Sequence, residues 1–183
     1  MSEHLEGIII ENSPIEVVKI ILQFPDGRYL LQERSEDQED ANKIDIIGGA
    51  LEGVDWYDEN IRQTPQQARI RGLLRETSEE VRIKSLGQPL QIHDYVQLGH
   101  PVHYPLNIFP NRLGKDKQRT YFWGPINLPI NDLEAIEGTR VFDCPIKELN
   151  RHHLRHNLSE IFQKLIGGAF DGVDPRIPLY NGR

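Results

Sequence analysis

The sequence predicts an α/β fold, and three stretches predict it. Ile15 to Gln23 and Arg28 to Arg34 read as a β-hairpin around the turn signal Pro25-Asp26-Gly27. The apolar run Ile44-Asp45-Ile46-Ile47 reads as a short strand that ends in the paired glycines Gly48-Gly49. Beyond them, Ile70, Leu73, Leu74, Thr77 and Val81 recur at helical spacing and mark one buried stripe. The order is hairpin, short strand, glycine turn, helix.

The helix has its own start signal. Thr64 caps, Pro65 suits the first helical position, and Gln67 completes a capping box. Gly72 sits inside the helix and should cost roughly 1 kcal/mol relative to Ala, so a close packing contact is expected there. The paired glycines allow unusual backbone angles and close approach of the main chain to a ligand.

The chemistry concentrates in Arg75-Glu76-Thr77-Ser78-Glu79-Glu80. Three carboxylates at i, i+3 and i+4 are neighbours on a helix surface and repel one another. One reading is a solvated acidic face that pairs with Arg71, Arg75 and Arg82. The other is a site for a divalent cation, since Mg²⁺ is commonly held by a few carboxylates together with water and substrate phosphates. The hexad alone divides evenly between them, and the glycine turn upstream favours the cation.

With these residues in place, the chain resembles the Nudix hydrolases, whose signature is G-x5-E-x7-R-E-U-x-E-E-x-G-U, with U aliphatic. Gly48-Gly49-Ala50-Leu51-Glu52 resembles the opening G-G-x-x-E, and Asp55 stands where the first glutamate of the signature is expected. Arg75, Glu76, Glu79 and Glu80 match its R-E-x-x-E-E core, and Ile83 its closing aliphatic position. Gly27 to Arg34 is similar to the D-G-x-x-L-L-x-x-R hairpin, and Val141 to Leu149 to the strand and short helix that end many of these domains. There are departures. About a dozen residues beyond those of the signature lie between Gly49 and Arg75, around Trp56 to Gln63 and in the helix start. Thr77 replaces an aliphatic residue, and Arg82 the glycine that normally ends the helix. Thr64-Pro65-Gln66-Gln67-Ala68 also resembles the family's T-P-x-x-A helix start. That second register puts Arg71-Gly72-Leu73 at R-E-U and leaves no acidic site; the register of Arg75-Glu76 keeps all three carboxylates and is preferred.

The resemblance implies an α/β/α sandwich with a mixed sheet (α+β in the wider sense), as one domain over 1–183. Its core spans about 15–165, and 166–183 is a Gly/Pro-rich tail. It implies an enzyme that hydrolyses the pyrophosphate bond of a nucleoside diphosphate linked to another group, with Mg²⁺ or Mn²⁺ as the ion. Glu76, Glu79 and Glu80, with the carbonyl of Gly48 or Gly49, would hold the metal. Glu76 or Glu79 would be the base, and Arg75 would orient a carboxylate. Gly49, Glu52 and Asp55 would support the loop. A catalytically inactive nucleotide-binding sensor or scaffold is the alternative. The resemblance also makes a homodimer one arrangement to expect.

Weaker signals lie elsewhere. Asn111 to Arg119 is the densest basic stretch, read as a loop before a Tyr121-Phe122-Trp123 strand. Arg112 and Lys115 in it, together with Arg34 and Trp56, are candidates for substrate binding; a solvated loop and core packing compete with that reading. His100-Pro101-Val102-His103 lacks a third ligand at metal spacing and reads as a surface loop. His152, His153 and His156 read as surface residues of a C-terminal helix.

Composition sets the outer bounds. A chain of 183 residues is long enough for a sizeable core. Its net charge of −7 argues against broad nucleic-acid binding, which is driven by phosphate neutralisation. The single cysteine, Cys144, forms no intrachain disulfide, and a reducing, cytoplasmic setting fits. Met1 to Glu6 is acidic and Ile8-Ile9-Ile10 is far too short to span a bilayer, so neither a signal peptide nor membrane association is expected.

Overall fold

In the computed structural model, the hairpin, the short strand and the helix form where the sequence puts them. The structure describes residues 15–37, 40–59, 61–91, 102–104, 117–155, 158 and 162. β1 (Ile15–Gln23) is rich in β-branched residues and buried from Val17 to Leu22, as a central strand must be. Gly27 turns the chain with φ 84°, and β2 (Tyr29–Glu33) returns antiparallel to β1. β3 (Ile44–Asp45) pairs with β2.

Next comes the inserted segment, with its own local structure. α1 (Gly53–Trp56) is a single turn, followed by the small hairpin of β4 (Tyr57–Asp58) and β5 (Ile61–Arg62). α2 (Pro65–Glu80) follows. Thr64 Oγ1 accepts the Gln67 backbone N–H, and the Gln67 side chain accepts the Thr64 N–H, so the capping box is complete. Ala68, Ile70, Gly72, Leu73 and Thr77 are buried.

The chain then passes directly into β6 (Val81–Ile83), β7 (Gln88–Pro89) and, after an interval, β8 (Val102–Tyr104) and β9 (Lys117–Pro125). β10 (Leu133–Ala135) and β11 (Arg140–Cys144) complete the strands, and a 3₁₀ turn covers Ile146–Arg151. The main sheet runs β11-β2-β1-β9-β8, with β3 beside β2. It is mixed: β1 and β9 are parallel over nine consecutive pairs, and their other neighbours are antiparallel. A second sheet runs β10-β6-β7.

Apolar clusters cover both faces of the main sheet. Val18, Ile20, Leu22 and Phe122 meet Ile70 and Leu73 of α2 on one face. Ile21, Leu31, Ile44, Ile46 and Tyr121 meet Leu149, Leu158 and Phe162 on the other. The alternation along β1 is what divides it between two layers.

The residues Thr77 and Arg82, which depart from the signature, each have a local reason. Thr77 is fully buried, and its Oγ1 donates to the Leu73 carbonyl at 2.8 Å, so the hydroxyl is satisfied where an aliphatic group is usual. α2 ends with Val81 in the extended region, φ −135°, so no left-handed residue is needed and Arg82 takes the glycine's place. Arg82 lies exposed in β6 and pairs with Glu134 at 2.7 Å.

Other expectations need correction. Lys117 to Arg119 belong to β9 rather than a loop, because they extend the parallel pairing with β1 back to Ile15. His103 lies in β8, paired with Thr120, and not in a surface loop. His152 and His153 follow the 3₁₀ turn as irregular chain, not as part of a helix. The 166–183 tail, His100, His156, Arg112 and Lys115 lie outside the described residues.

Candidate active site

The glycine turn and the last turns of α2 meet at one end of β1. Gly48 has φ +128°, and a Cβ there would collide with the Val18 carbonyl, so only glycine fits. Gly49 faces Glu76 so closely that a Cβ would strike its carboxylate. The Gly48 N–H donates to Glu80 Oε1 at 3.4 Å. Main-chain bonds fix the turn: the Val18 N–H donates to the Gly49 carbonyl and the Ile20 N–H to the Ile47 carbonyl, both at 2.9 Å. Glu76 and Glu80 therefore stand against Gly48-Gly49, although 26 positions separate Gly49 from Arg75.

Arg75 organises the cluster. Its Nη1 lies 2.9 Å from Glu76 Oε1 and 2.9 Å from Glu79 Oε2, and its Nη2 lies 3.0 Å from Asp55 Oδ2. Nε also reaches Asp55, at 3.3 Å, and Nη2 donates to the Ala50 carbonyl at 2.9 Å. Burial works against this charge, but the surrounding carboxylates of Asp55, Glu76 and Glu52 hold its pKa above the usual arginine value. Asp55 is buried, and it also accepts the Glu52 N–H at 2.8 Å as part of a capping box for α1. Gly72 is the gap that admits this contact: a Cβ there would collide with Leu51 and press on Asp55. That packing accounts for the helical glycine. Arg71 has a different task, holding the insertion through the Val54 and Tyr57 carbonyls and Asp58.

The carboxylates do not share one environment. Glu79 is the exposed member. Burial raises the pKa of Glu76, although Arg75 opposes this. Glu80 is pushed up to about 8, mainly by burial and then by the charges of Glu76 and Asp45, against the pull of Lys19. Glu80 has no ion-pair partner among the described residues, only the long bond from Gly48.

No motif in the sequence marks Lys19. It is a buried ammonium in β1 that donates to Asp45 Oδ2 at 2.9 Å, the Ile46 carbonyl at 3.2 Å and the Gly48 carbonyl at 3.3 Å. Its signal in the sequence is a lysine set between apolar residues, Val17-Val18-Lys19-Ile20-Ile21. Arg34 lies near the same group, 3.9 Å from Asp45. Trp56 is half-buried in the insertion.

The donors at this corner are all oxygen: the carboxylates of Glu76, Glu79 and Glu80 and the carbonyls of Gly48 and Gly49. That donor set, with a half-buried Glu80 that has no ion-pair partner among the described residues, fits a hard divalent cation. Among the described residues no three His, Cys, Asp or Glu side chains converge tightly enough to enclose an ion, because Arg75 draws Glu76 and Glu79 to itself.

No family model and no curated protein matches the chain. Solved structures do. A Nudix hydrolase from Nitrosomonas europaea is 18% identical with a TM-score of 0.55, over 93% of this chain and 100% of that one. The Nudix domain of Shewanella oneidensis NrtR, solved with ADP ribose, is 13% identical with a TM-score of 0.56, over 86% and 90%. An Ap4A hydrolase from C. elegans is 14% identical with a TM-score of 0.52, over 85% and 97%. At these identities the likeness shows the fold, and the fold is that of the Nudix hydrolases. No helix among the described residues is long and apolar enough to cross a membrane.

Proposed function

We propose that this chain, folded as the Nudix hydrolases are, is a pyrophosphohydrolase that cleaves a nucleoside diphosphate linked to another group and uses Mg²⁺ or Mn²⁺. The observation that carries the reading is the meeting of Glu76 and Glu80 with the Gly48-Gly49 turn. Glu76, Glu79 and Glu80 would hold the ion, with a glycine carbonyl as a further oxygen. The chemistry such an ion supplies when bound is polarisation of phosphoryl oxygens and a lowered pKa for water.

The chain's own residues do the rest. Glu76 or Glu79 accepts the proton of the attacking water, which requires only hydrogen-bond reach. Arg75 spans Glu76, Glu79 and Asp55 with its planar fork, fixing the orientation of the two glutamates. Asp55 and Glu52 anchor Arg75 from the loop side. The substrate is a small nucleotide. ADP-ribose and other nucleotide sugars are the first compounds to try, and the ADP ribose held by the NrtR domain supports starting there.

The test is a panel of nucleoside diphosphate derivatives incubated with Mg²⁺, with liberated phosphomonoesters as the readout. Turnover should occur and should fall by orders of magnitude in Glu80→Gln. Binding without metal-dependent turnover across the panel would replace the enzyme with a nucleotide sensor.

A further inference from the structure

The chain from Ile46 to Gly49 lies along β1, and its carbonyls alternate in what they meet. The Ile47 and Gly49 carbonyls accept the N–H groups of Ile20 and Val18, both at 2.9 Å. The Ile46 and Gly48 carbonyls accept from the Lys19 ammonium instead, at 3.2 and 3.3 Å. Every carbonyl of this stretch thus has a donor, and Lys19 supplies those that the β1 backbone does not.

The approach is close. A Cβ on Gly48 would lie 2.7 Å from the Lys19 Cα. Lys19 is buried, and its third donor goes to Asp45 Oδ2 at 2.9 Å, so the ammonium is fully used. Balancing Asp45 alone would not require this arrangement, because Arg155 Nη1 already lies 3.0 Å from the same oxygen. Gly48 is held at both of its polar groups: its N–H donates to Glu80 Oε1 at 3.4 Å, and its carbonyl accepts from Lys19. A carbonyl oxygen has two lone pairs, so the ammonium occupies one and leaves the other open to a cation.

We propose that Lys19 is a positioning residue of the candidate metal turn. By holding the Gly48 carbonyl it fixes the turn against which Glu76 and Glu80 stand, and Asp45 and Arg155 keep the ammonium in place. The proposal rests on the hydrolase reading for the ion, but the hold on Gly48 exists without one.

The charge of Lys19 and its hydrogen bonds act on an ion in opposite directions. An ammonium repels a nearby cation, whereas a fixed carbonyl helps to bind it. Lys19→Met alone mixes the two effects. Lys19→Met combined with Asp45→Asn removes one charge of each sign and leaves the bonds to Ile46 and Gly48 as the main loss.

The test is that double variant in the full chain, with its fold checked by a urea melt. In EDTA, backbone NMR relaxation should show the Gly48 N–H more mobile than in the natural chain, with Gly27 unchanged. Mn²⁺ binding, followed by the electron paramagnetic resonance of the free ion, should weaken about tenfold. Lys19→Arg keeps the charge pair with Asp45, but a planar fork cannot meet the three acceptors of an ammonium. It should loosen Gly48 in the same way, and it serves if the double variant fails to fold. An unchanged Gly48 signal in either folded variant overturns the proposal and leaves Lys19 as a partner of Asp45. Loosening of Gly48 with full Mn²⁺ affinity overturns it as well, since the hold would then serve the fold alone. If the natural chain binds no Mn²⁺ and hydrolyses nothing in the panel, the hydrolase reading fails, and the measurement in EDTA still decides whether Lys19 holds Gly48.

Discussion

Two carboxyl groups flank the Gly48 turn, Asp45 buried and Glu80 half-buried, and they meet opposite fates. Asp45 is almost wholly buried, yet Lys19 and Arg155 outweigh the burial that would raise its pKa, and it stays below the usual carboxylate range. Glu80 is less enclosed, yet burial, Glu76 and Asp45 together lift it to about 8. Depth does not separate them; the number of cations within reach does. The Asp45 side is complete as folded. The Glu80 side is short of positive charge, and among the described residues Lys19 is the cation shared between the two.

The largest effect that would sharpen this contrast is on catalysis. Glu80→Gln keeps the shape and removes the charge, and should cut metal-dependent hydrolysis by orders of magnitude. A variant that retained full activity would break the assignment of the charge-poor side. Next comes Lys19→Met, which leaves Asp45 paired only with Arg155 and the more distant Arg34. Loss of one partner of a buried ion pair should cost about 3 kcal/mol in a urea melt.

A smaller effect distinguishes the two sides by pH. Glu80 has a folded-state value near 8 against an ordinary 4.5, so its contribution is fully present below pH 4.5 and is lost as pH rises through 8. In EDTA the melting temperature should therefore fall over that window, and Glu80→Gln should flatten the fall. Mg²⁺ should raise the melting temperature more at pH 8 than at pH 5, since a cation that binds the ionised form stabilises the fold. An equal shift at both values would mean that the ion does not meet this carboxylate. The smallest effect is expected from Arg155→Gln. Lys19 remains to neutralise Asp45, so the loss should be about 1–2 kcal/mol in the same melt.

The legible and the illegible parts of this molecule divide on the same physical line. Periodicity and turn chemistry act over a few residues, so β1, the Gly27 turn, the Thr64 cap and the buried stripe of α2 were readable from spacing. The acidic hexad was readable because its members share one helix. Lys19, Asp45 and Arg155 come from three distant segments and meet only after the strands pair, so no local pattern carries them. The same holds for His103 and Lys117 to Arg119, whose strand character comes from partners far along the chain. The insertion was visible as surplus length, but its fastening through Arg71 depends on the tertiary path.

The parallel pairing of β1 with β9 has a consequence for how the chain is made. Ile15 lines up with Lys117, about a hundred residues later, and nine such pairs form the centre of the main sheet. On a ribosome, β1 and β2 emerge and form their hairpin early, while the other edge of β1 stays open until β9 arrives. Until then that edge, with Ile15, Val17, Val18, Ile20, Ile21 and Leu22 among its residues, would be unpaired, the condition in which strands join the wrong neighbour. Closure of this seam is therefore expected to wait for the second half of the chain, as assembly of the Lys19, Asp45 and Arg155 cluster must.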